Sequence, residues 1–324
     1  MEQYSAGHPG RVSVVTPVHN GRRYLPAMLQ SVLGQSWDDV EMILVDDGSE
    51  DGTAELARGY REAFLRRGYS FRLLQGEHRG AAGAINRGLP YVTGEFLIWP
   101  DSDDLLEPDS IRRRVEFLRQ HPAYQCVRSL SRYIGEDGAP APPSERRGDL
   151  DQERLFLPLL LGQTFVCCGC YLFRTQPFFE IYPRRQIPDY EVGQNLQMLL
   201  PFFHRWPCPT IREELYIVRV HPDSHSRRPR TREEAAARCA GFGALIDELA
   251  AICRLEGRER RQADCWKLQQ RYLFYLAYGP RWKAAVAVAG LLRNGGIRPR
   301  EALGRMAGLL ARQLRPLVRR IGKR

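Results

Sequence analysis

The stretch "RVSVVTPVHNGRRYLPAMLQSVLGQSWDDVEMILVDDGS", residues 11–49, decides the fold class of this chain. Its first eight residues are a β-branched apolar run of strand length, which ends at a proline and "HNG". Apolar residues then recur at helical spacing, and a second apolar run of strand length ends in "DDGS". The helical positions are Leu25, Met28, Leu29, Val32 and Leu33. This order predicts two parallel strands joined by a crossover helix.

The same alternation continues over about 110 residues. "FRLLQ" and "EFLIW" predict two more strands, and helices are predicted over residues 53–67, "AAGAINRGL" and "PDSIRRRVEFLRQH". This pattern predicts an α/β fold, a parallel sheet with helices on both faces. Such sheets bind ligands beyond the carboxyl ends of the strands, near the point where the strand order reverses. Asp46 and Asp47 end one predicted strand and Asp101 and Asp103 follow another, so we expect both acidic ends to face one crevice.

The pattern changes after residue 124. "YQCVRSLSRYIG" and "FVCCGCYLFR" predict strands and "LDQERLFLPLLLG" predicts a helix, as in an α+β continuation of the same domain. The basic "RRPR" of residues 227–230 marks the predicted boundary, and the segments beyond it have helical patterns. We therefore predict one domain over residues 10–226 and a helical extension over residues 227–324.

Positive charge is concentrated at one end of the chain. The net charge is +10, but residues 281–324 hold 12 Lys and Arg against one acid, a net of +11, so the other 280 residues sum to −1. Basic residues confined to one tail, without an aromatic stacking motif, argue against nucleic-acid binding. Residues 301–321 also carry an apolar stripe that Pro316 should kink. The stripe consists of Leu303, Met306, Leu310, Leu314, Leu317 and Ile321.

This basic, amphipathic tail predicts contact with an anionic membrane surface. A C-terminal helix that packs on its own domain and solvates its basic face fits the same pattern, so both alternatives stay open. The N-terminus has no apolar signal region, and no run of about 18 apolar residues occurs in the chain. We expect a cytoplasmic protein that is at most peripheral at the inner face of the plasma membrane.

Eight cysteines raise the question of a metal site or a disulfide framework. Cys167, Cys168 and Cys170 stand close together, but no second CxxC pair follows them. We predict reduced, buried thiols that behave as small hydrophobic residues.

The segment "IWPDSDDLLEPD", residues 98–109, places five carboxylates within nine residues directly after an apolar run. Hard cations such as Mg²⁺ or Mn²⁺ take oxygen ligands and keep waters or substrate phosphates as their remaining ligands. The turn therefore predicts a metal that neutralises a diphosphate. The residues alone also allow Asp103 or Asp104 to cap the helix that begins near Pro108, and they leave these alternatives open.

Several motifs in a fixed order resemble the family 2 inverting glycosyltransferases with the GT-A fold. They are "VSVVTPVHNGRRYLPAMLQSVLGQSWDDVEMILVDDGSEDGT", "HRGAAGAINRGL" and "GEFLIWPDSDDLLEPD", and the resemblance spans roughly residues 11–226. It implies a Rossmann-like α/β domain with a mixed, mostly parallel sheet, followed here by the helical extension. It also implies inverting, metal-dependent sugar transfer from a nucleotide-diphosphate sugar, with UDP favoured, to a hydroxyl acceptor. Cell-surface polysaccharide or glycolipid assembly, with a lipid-linked acceptor, is the expected setting.

The resemblance implies which residues hold the nucleotide. The turn at Thr16 and Pro17 and the carboxylate of Asp47 match positions around the base, with Asp47 accepting from the ring N–H. Arg79 and Asn86 match a helix segment that lies along the nucleotide. The full predicted set is Thr16, Pro17, Asp46, Asp47, Arg79, Asn86, Ser102 and Asp103.

The resemblance also implies a divalent cation, Mn²⁺ or Mg²⁺. Asp101 and Asp103 match the DxD motif of the family, and Asp104 is the adjacent acid. The full predicted metal set is Asp101, Asp103, Asp104 and His221, and the sequence leaves open which of the three aspartates ligates directly. In "VRVHPDSHS", His221 matches a closing segment that faces the diphosphate, where a neutral imidazole suits a metal or phosphate oxygen. A surface histidine in the turn before Pro222 is the alternative.

A single-displacement sugar transfer needs a carboxylate that removes the acceptor proton. "RRQIPDYEVGQNLQMLL" resembles the "ED" motif of the family, with Asp189 as the predicted base and Glu191 as the fallback. Pro188 stands where the family usually has Glu, so the local geometry departs from the pattern. Without the resemblance, Asp189 is an ordinary N-cap of the helix that follows.

Two other functions fit parts of the pattern. A chain-polymerising synthase would carry Q-x-x-R-W and membrane spans, but "FFHRW" has Phe202 at the glutamine position and no span follows. A catalytically idle sugar-nucleotide sensor or scaffold at the membrane would keep the same pocket, and the presence of Asp189 and His221 argues against it. We therefore expect an enzyme that makes one or a few transfers per acceptor.

Overall fold

The computed structural model describes residues 7–143, 147–221 and 231–309. The described residues fall into two compact units, one before and one after residues 222–230. We call the first the sheet unit and the second the helical unit. The functions that the sequence predicts for the two domains remain predictions.

The first half of the sheet unit alternates strands and helices as the sequence predicts. The strands are β1 His8–Val18, β2 Val40–Asp47, β3 Ser70–Gly76, β4 Gly94–Ile98 and the short β5 Leu105–Leu106; the helices are α1 Leu25–Leu33, α2 Thr53–Gly59, α3 Arg61–Arg66, α4 Gly80–Gly88 and α5 Ser110–Gln120. The prediction of a single helix over residues 53–67 was wrong in one respect. It is two helices that meet at Tyr60, next to Gly59, whose lack of a side chain weakens helix continuity.

The second half is more irregular. Its elements are β6 Cys126–Ile134, α6 Phe156–Leu160, β7 Tyr171–Arg174, α7 Thr175–Ile181, α8 Gln194–Arg205 and β8 Thr210–Arg219. The strand predicted over "FVCCGCYLFR" begins only at Tyr171, because Cys168–Cys170 form a 3₁₀ turn. The eight cysteines are free thiols, and all except Cys239 are buried.

The eight strands of the described residues belong to one sheet, in the order β3-β2-β1-β4-β7-β6-β8-β5. The first four strands in this order are mutually parallel, and β6 is parallel to β8. β7 is antiparallel to both of its neighbours, and β5 is antiparallel to β8. This confirms the predicted mixed, mostly parallel α/β sheet. The strand order reverses between β1 and β4, so a ligand crevice is expected at their carboxyl ends.

Burial explains why these residues form these elements. Every residue of β2 is buried, as expected for a central parallel strand covered by helices on both faces. Helix α1 buries Leu25, Met28, Leu29 and Val32, four of the five positions that the spacing predicts. At the opposite, amino ends of the strands, the buried carboxylate of Glu41 accepts from the backbone N–H of Thr93 (2.6 Å) and of Gly94 (3.0 Å). Glu41 thereby ties β2 to the start of β4.

The helical unit contains α9 Arg232–Ile252, α10 Gly257–Tyr278 and α11 Arg281–Arg293, and residues 299–309 continue as a helix. Helix α9 begins with a capping box between Thr231 and Glu234, which satisfies two backbone N–H groups. None of the described helices combines the length and the apolar character that a membrane-spanning segment requires. The predicted tail positions Leu310, Leu314, Pro316, Leu317 and Ile321 lie outside the described residues.

Candidate active site

The loop that follows β1 connects the two acidic strand ends. The backbone N–H of Asn20 donates to the hydroxyl of Ser49 (2.8 Å), in the loop after β2. Next to it, Gly21 is so close to the turn after β4 that an added Cβ would lie 3.8 Å from the Ser102 hydroxyl oxygen. The carboxyl ends of β1, β2 and β4 therefore open at one edge of the sheet.

Asp47, at the end of β2, holds the beginning of helix α4. Its buried carboxylate accepts from the backbone N–H of Arg79 (3.0 Å) and of Gly80 (2.7 Å). The His78 ring nitrogen Nδ1 lies 2.9 Å from the same carboxylate. A negative charge at this position also interacts favourably with the N-terminal end of the helix dipole. The side chain predicted to contact the nucleotide base thus also anchors a helix.

Two histidines that the sequence reasoning missed flank Asp47. Nδ1 of His19 lies 2.8 Å from the Asp47 carbonyl oxygen, and the ring centroids of His19 and His78 are 4.1 Å apart. A signal was available, because each histidine is in a loop that leaves a predicted strand end. They form one wall beside the predicted nucleotide position.

The other predicted nucleotide residues lie close by. Asp46 accepts from the backbone N–H of Ser49 at 3.3 Å, so it shapes the turn after β2. Thr16 is fully buried, and its hydroxyl has no hydrogen-bond partner among the described residues, whereas Pro17 is partly exposed. The exposed part of this turn is therefore Pro17 and the loop that follows it.

The acidic turn after β4 contains carboxylates in two different environments. Asp103 is partly exposed, and its Oδ2 lies 2.8 Å from Nε2 of His221. Asp104 is buried and accepts from the backbone N–H of Arg219 (2.8 Å). Burial raises the pKa of Asp104 well above its usual value, and the nearby charges of Asp103 and Asp101 raise it further. The buried carboxyl fixes the turn, and the partly exposed one remains accessible.

The end of β8 holds this turn in place. The Tyr216 hydroxyl accepts from the backbone N–H of Asp101 (3.1 Å) and donates to the Asp104 carboxylate. Burial raises the pKa of Tyr216 well above its usual value, so the hydroxyl keeps its proton. An added Cβ on Gly169 would lie 2.1 Å from the Tyr216 ring, which explains the glycine of "CCGC". Sequence reasoning missed both residues, and no periodic pattern indicates their contact.

His221 is buried at the Asp103 carboxylate, with 3% of its side chain exposed. Its ring centroid lies 4.3 Å from that of Tyr24, in the segment after β1. The alternative of a surface histidine was therefore wrong. The contact of His221 with a diphosphate or a metal remains a prediction.

Asp189 lies against helix α4. Its Oδ2 accepts from the guanidinium of Arg79 (2.8 Å), and its side chain is 37% exposed. Asn86 binds the chain two residues earlier, where its amide both donates to the Ile187 carbonyl (3.0 Å) and accepts from the Ile187 N–H (2.8 Å). An added Cβ on Gly83 would lie 3.3 Å from Asp189 Oδ1, so a small residue lets the segment approach. Residues 79, 83 and 86 have the spacing of one helix face.

The alternative role of Asp189 as an N-cap was wrong. Helix α8 begins at Gln194, and its N-cap is Gly193 in the left-handed conformation (φ 63°). The aspartate stands outside the helix and pairs with α4. Glu191 is exposed and has no hydrogen bond or ion pair among the described residues. The two candidate bases thus differ in their surroundings, because of the two only Asp189 is paired with Arg79 at the start of α4.

The acidic turn offers few donors to a metal ion. Within the described residues, no group of three or more His, Cys, Asp and Glu side chains is arranged to hold a metal ion. The available donors are the Asp101 and Asp103 carboxylates and the His221 imidazole, because Asp104 is committed to Arg219 and Tyr216. Mg²⁺ and related cations often take one or two protein carboxylates and complete their shell with waters and substrate phosphates. These residues fit such a substrate-completed ion.

A separate cavity of about 600 Å³ lies at the amino ends of the strands and is lined by Pro9, Glu95, Arg174 and Trp206, among others. Glu95 is already paired with Arg174 (3.1 Å) and with the backbone N–H of Gly10 (2.8 Å). Ligands of such sheets bind at the carboxyl ends of the strands, and the predicted site residues gather there. We therefore take the carboxyl ends as the site.

This arrangement defines a class of α/β enzyme with an acidic crevice at the point where the strand order reverses. The family model described as "Glycosyl transferase family 2" matches residues 13–181, which is more than half of the chain. The chain belongs to this family and is a glycosyltransferase.

Curated relatives are similar over part or most of the chain. The Bacillus subtilis protein named "Putative glycosyltransferase EpsE" is 28% identical over 221 residues, 67% of this chain and 76% of that protein. The B. subtilis protein named "Putative teichuronic acid biosynthesis glycosyltransferase TuaG" is 36% identical over 131 residues, 40% of this chain and 50% of that protein. The chain therefore spans about half the length of TuaG.

Solved structures share the fold at low identity. A crystal structure of S. aureus TarS 1-349 has a TM-score of 0.60 at 17% identity and covers 90% of this chain and 82% of that one. TarS was also solved in complex with UDP-GlcNAc. The mannosyltransferase PcManGT from Pyrobaculum calidifontis, solved with GDP-Man and Mn²⁺, has a TM-score of 0.50 at 18% identity and covers 94% and 80% of the two chains. These similarities establish the fold.

Replacement of Asn86 separates its two candidate roles. In Asn86→Ala the Ile187 backbone loses both amide partners, so Asp189 should lose its position while the nucleotide surface is kept. We expect the transfer rate kcat to fall about tenfold, equivalent to about 1.4 kcal/mol of activation free energy, with UDP affinity in calorimetry within about twofold of the wild-type value. Asn294→Ala, in the helical unit, is the control. A weakened UDP affinity with unchanged kcat would instead support a nucleotide contact.

Proposed function

We propose that the protein is an inverting, metal-dependent glycosyltransferase that moves a sugar from a nucleotide-diphosphate donor to a hydroxyl acceptor. UDP is the favoured nucleotide, and cell-surface polysaccharide or glycolipid assembly is the favoured setting. The observation that carries the proposal is that Asp47, the Asp103–His221 pair and Asp189 belong to one edge of the sheet. The names of EpsE and TuaG support the glycosyltransferase activity, and that of TuaG, which mentions teichuronic acid biosynthesis, supports the proposed setting.

The nucleotide lies between the β1 and β2 ends in this proposal. Pro17 and the loop after it flank the base, Asp46 shapes the turn and Asp47 accepts from the ring N–H. Arg79 faces the nucleotide from the start of α4, whereas Asn86, also predicted to lie along the nucleotide, uses its amide to hold the Ile187 backbone. Ser102 and Asp103 are nearest the ribose. The Asp47 carboxylate has about four lone-pair positions, and the N–H groups of Arg79 and Gly80 occupy some of them. The remaining positions would accept from the base.

Mn²⁺ or Mg²⁺ would be held by one or two of the donors Asp101, Asp103 and His221, with waters and donor phosphates as its remaining ligands. When bound, such an ion neutralises the negative charge of the departing diphosphate. Asp104 is the most buried acid of the turn, and its bonds to Arg219 and Tyr216 make it the residue that positions the other carboxylates. Fixed ligand orientation of this kind is as important to a metal site as the ligands themselves.

Asp189 is the general base of the proposed reaction. The acceptor oxygen bonds to the sugar C1 as the bond from C1 to the diphosphate oxygen breaks, and the acceptor proton passes to the Asp189 carboxylate. The nucleoside diphosphate leaves with the electron pair of the broken bond, and one displacement inverts the configuration at C1. The Arg79 guanidinium holds the carboxylate at α4, and its 37% exposure leaves it open to an acceptor.

The metal dependence of donor binding tests the role of Asp103. UDP should bind the wild-type protein at least about tenfold more tightly with Mn²⁺ than without it, because the ion bridges carboxylate and diphosphate. Asp103→Ala should remove most of this difference, whereas Asp151→Ala, which changes a side chain that is 82% exposed, should keep it. Calorimetric titrations of the three proteins, each with and without Mn²⁺, give six affinities. Equal binding of UDP in all of them would rule out a metal-bridged donor.

The base assignment is tested by comparing the two candidate carboxylates. Asp189→Asn should lower kcat by about 10²–10⁴-fold, because an amide accepts no proton, while UDP affinity stays within about twofold. Glu191→Gln should keep nearly full activity. Product analysis by NMR should show the anomeric configuration opposite to that of the donor. If Glu191→Gln loses activity and Asp189→Asn keeps it, Glu191 is the base and Asp189 is not. A product with the same anomeric configuration as the donor would refute inversion.

A further inference from the structure

Helix α11 of the helical unit is apolar on two opposite faces. One face is buried against the core of the unit and contributes Ala284, Ala287, Val288 and Leu291 to the cluster that includes Cys265 and Tyr272 of α10. The opposite face has Trp282, Val286 and Ala289 at spacings of four and three residues, and all three are exposed. A surface helix normally has a polar outer face, so this apolar outer face is unusual.

The exposed apolar surface extends beyond α11. Trp282 is 64% exposed and Val286 is 61% exposed, and Leu303, in the helix of residues 299–309, is 70% exposed. A groove of about 550 Å³ joins the two helices, with Trp282 on one side and Met306 on the other. Val286 is one helical turn from Trp282, and Leu303 is one turn from Met306. Exposed apolar side chains grouped in this way mark a binding surface more often than an ordinary solvated one. We call Trp282, Val286, Leu303 and Met306 the apolar patch.

Several arginines that are close to the apolar patch in the sequence have no acidic partners among the described residues, and Arg281 lines the same groove as Trp282 and Met306. Arg281, Arg293, Arg298 and Arg300 are exposed, and none of them forms an ion pair with the described residues. The single acid of residues 281–324, Glu301, is paired with Arg305 (2.7 Å). The surroundings of the patch therefore carry uncompensated positive charge. A matching surface must be both apolar and negatively charged.

We propose that the apolar patch and its arginines form a docking face for an anionic phospholipid bilayer. An in-plane helix buries apolar side chains at the boundary between head groups and acyl chains, with basic side chains among anionic head groups. Tryptophan is favoured at this depth because its ring is amphipathic. Helix α11 has 13 residues, about two thirds of a membrane span, so it lies in the membrane surface and does not cross it.

The charge of the chain argues against its own tail as the cover. Residues 310–324 contain six Lys and Arg and no acid, so they would repel the arginines around the patch. A bilayer with anionic head groups neutralises this positive charge and also covers the apolar side chains. The inference is independent of the sugar-transfer chemistry. It predicts that the whole chain acts at a membrane surface, where a lipid-linked hydroxyl acceptor would be found.

Vesicle binding of the full-length protein tests the proposal. The wild-type protein should co-sediment with vesicles of phosphatidylglycerol and phosphatidylcholine at least about tenfold more strongly than with phosphatidylcholine alone, and added salt should weaken binding. The double variant Trp282→Glu with Val286→Glu should lose about tenfold in affinity or more, because two carboxylates face the lipid. Leu65→Glu with Tyr91→Glu, at exposed apolar positions of the sheet unit (46% and 41%), is the matched control.

A second pair of variants isolates the charge. Arg298→Gln with Arg300→Gln should weaken vesicle binding and reduce its salt dependence, whereas Arg61→Gln with Arg66→Gln, the same charge change on α3, should not.

Fluorescence quenching tests the depth of Trp282. Brominated lipids should quench the fluorescence of the wild-type protein more than that of Trp282→Phe. The circular dichroism of every variant should match that of the wild-type protein.

Three results would overturn the proposal. The first is a wild-type protein that binds neither vesicle type, and the second is equal vesicle binding by the Trp282/Val286 variant and its control. The third is self-association of the wild-type protein, measured by light scattering, that the patch variant abolishes while neither binds vesicles. That result would assign the apolar patch to a second copy of the chain.

Discussion

The site depends first on the buried carboxylate of Asp47 at the end of β2. It accepts from the first backbone N–H groups of α4, at Arg79 and Gly80, and so fixes where that helix begins. A buried acceptor at a helix N-terminus satisfies donors that the helix itself cannot and complements its dipole. Because α4 also carries Arg79, Gly83 and Asn86 on one face, the position of the Asp189 segment follows from this one interaction.

Strand β8 and the residues just after it fix the acidic turn after β4. Tyr216, Arg219 and His221, at and just after the end of β8, bind the backbone and carboxylates of the turn after β4. The acids of the crevice thus divide into two kinds. Asp47 and Asp104 are buried and hold structure, whereas Asp103 is partly exposed and Asp189 is exposed. In the proposed reaction the first kind keeps the second in position, which is how a rigid site avoids rearrangement.

Sequence periodicity predicted most of the fold because strands β1 to β4 and their helices are local patterns. The acidic strand ends were also predictable, since a parallel sheet brings its carboxyl ends to one edge. Contacts between distant residues were not. Tyr216 meets Asp101 across 115 positions and Asn86 meets Ile187 across 101, and no spacing rule connects them. The antiparallel insertion of β7 between β4 and β6 likewise depends on packing and on the Gly169 contact with Tyr216.

Hydrogen exchange of the full-length protein, with and without UDP and Mn²⁺, most directly tests the claim that one crevice unites these elements. The account predicts slower exchange at the same time in the loop after β1, at the start of α4, in the acidic turn around Asp103 and around Asp189. Slowing confined to one of these segments would contradict it. Slowing at the cavity around Glu95 and Trp206, at the amino ends of the strands, would place the donor elsewhere.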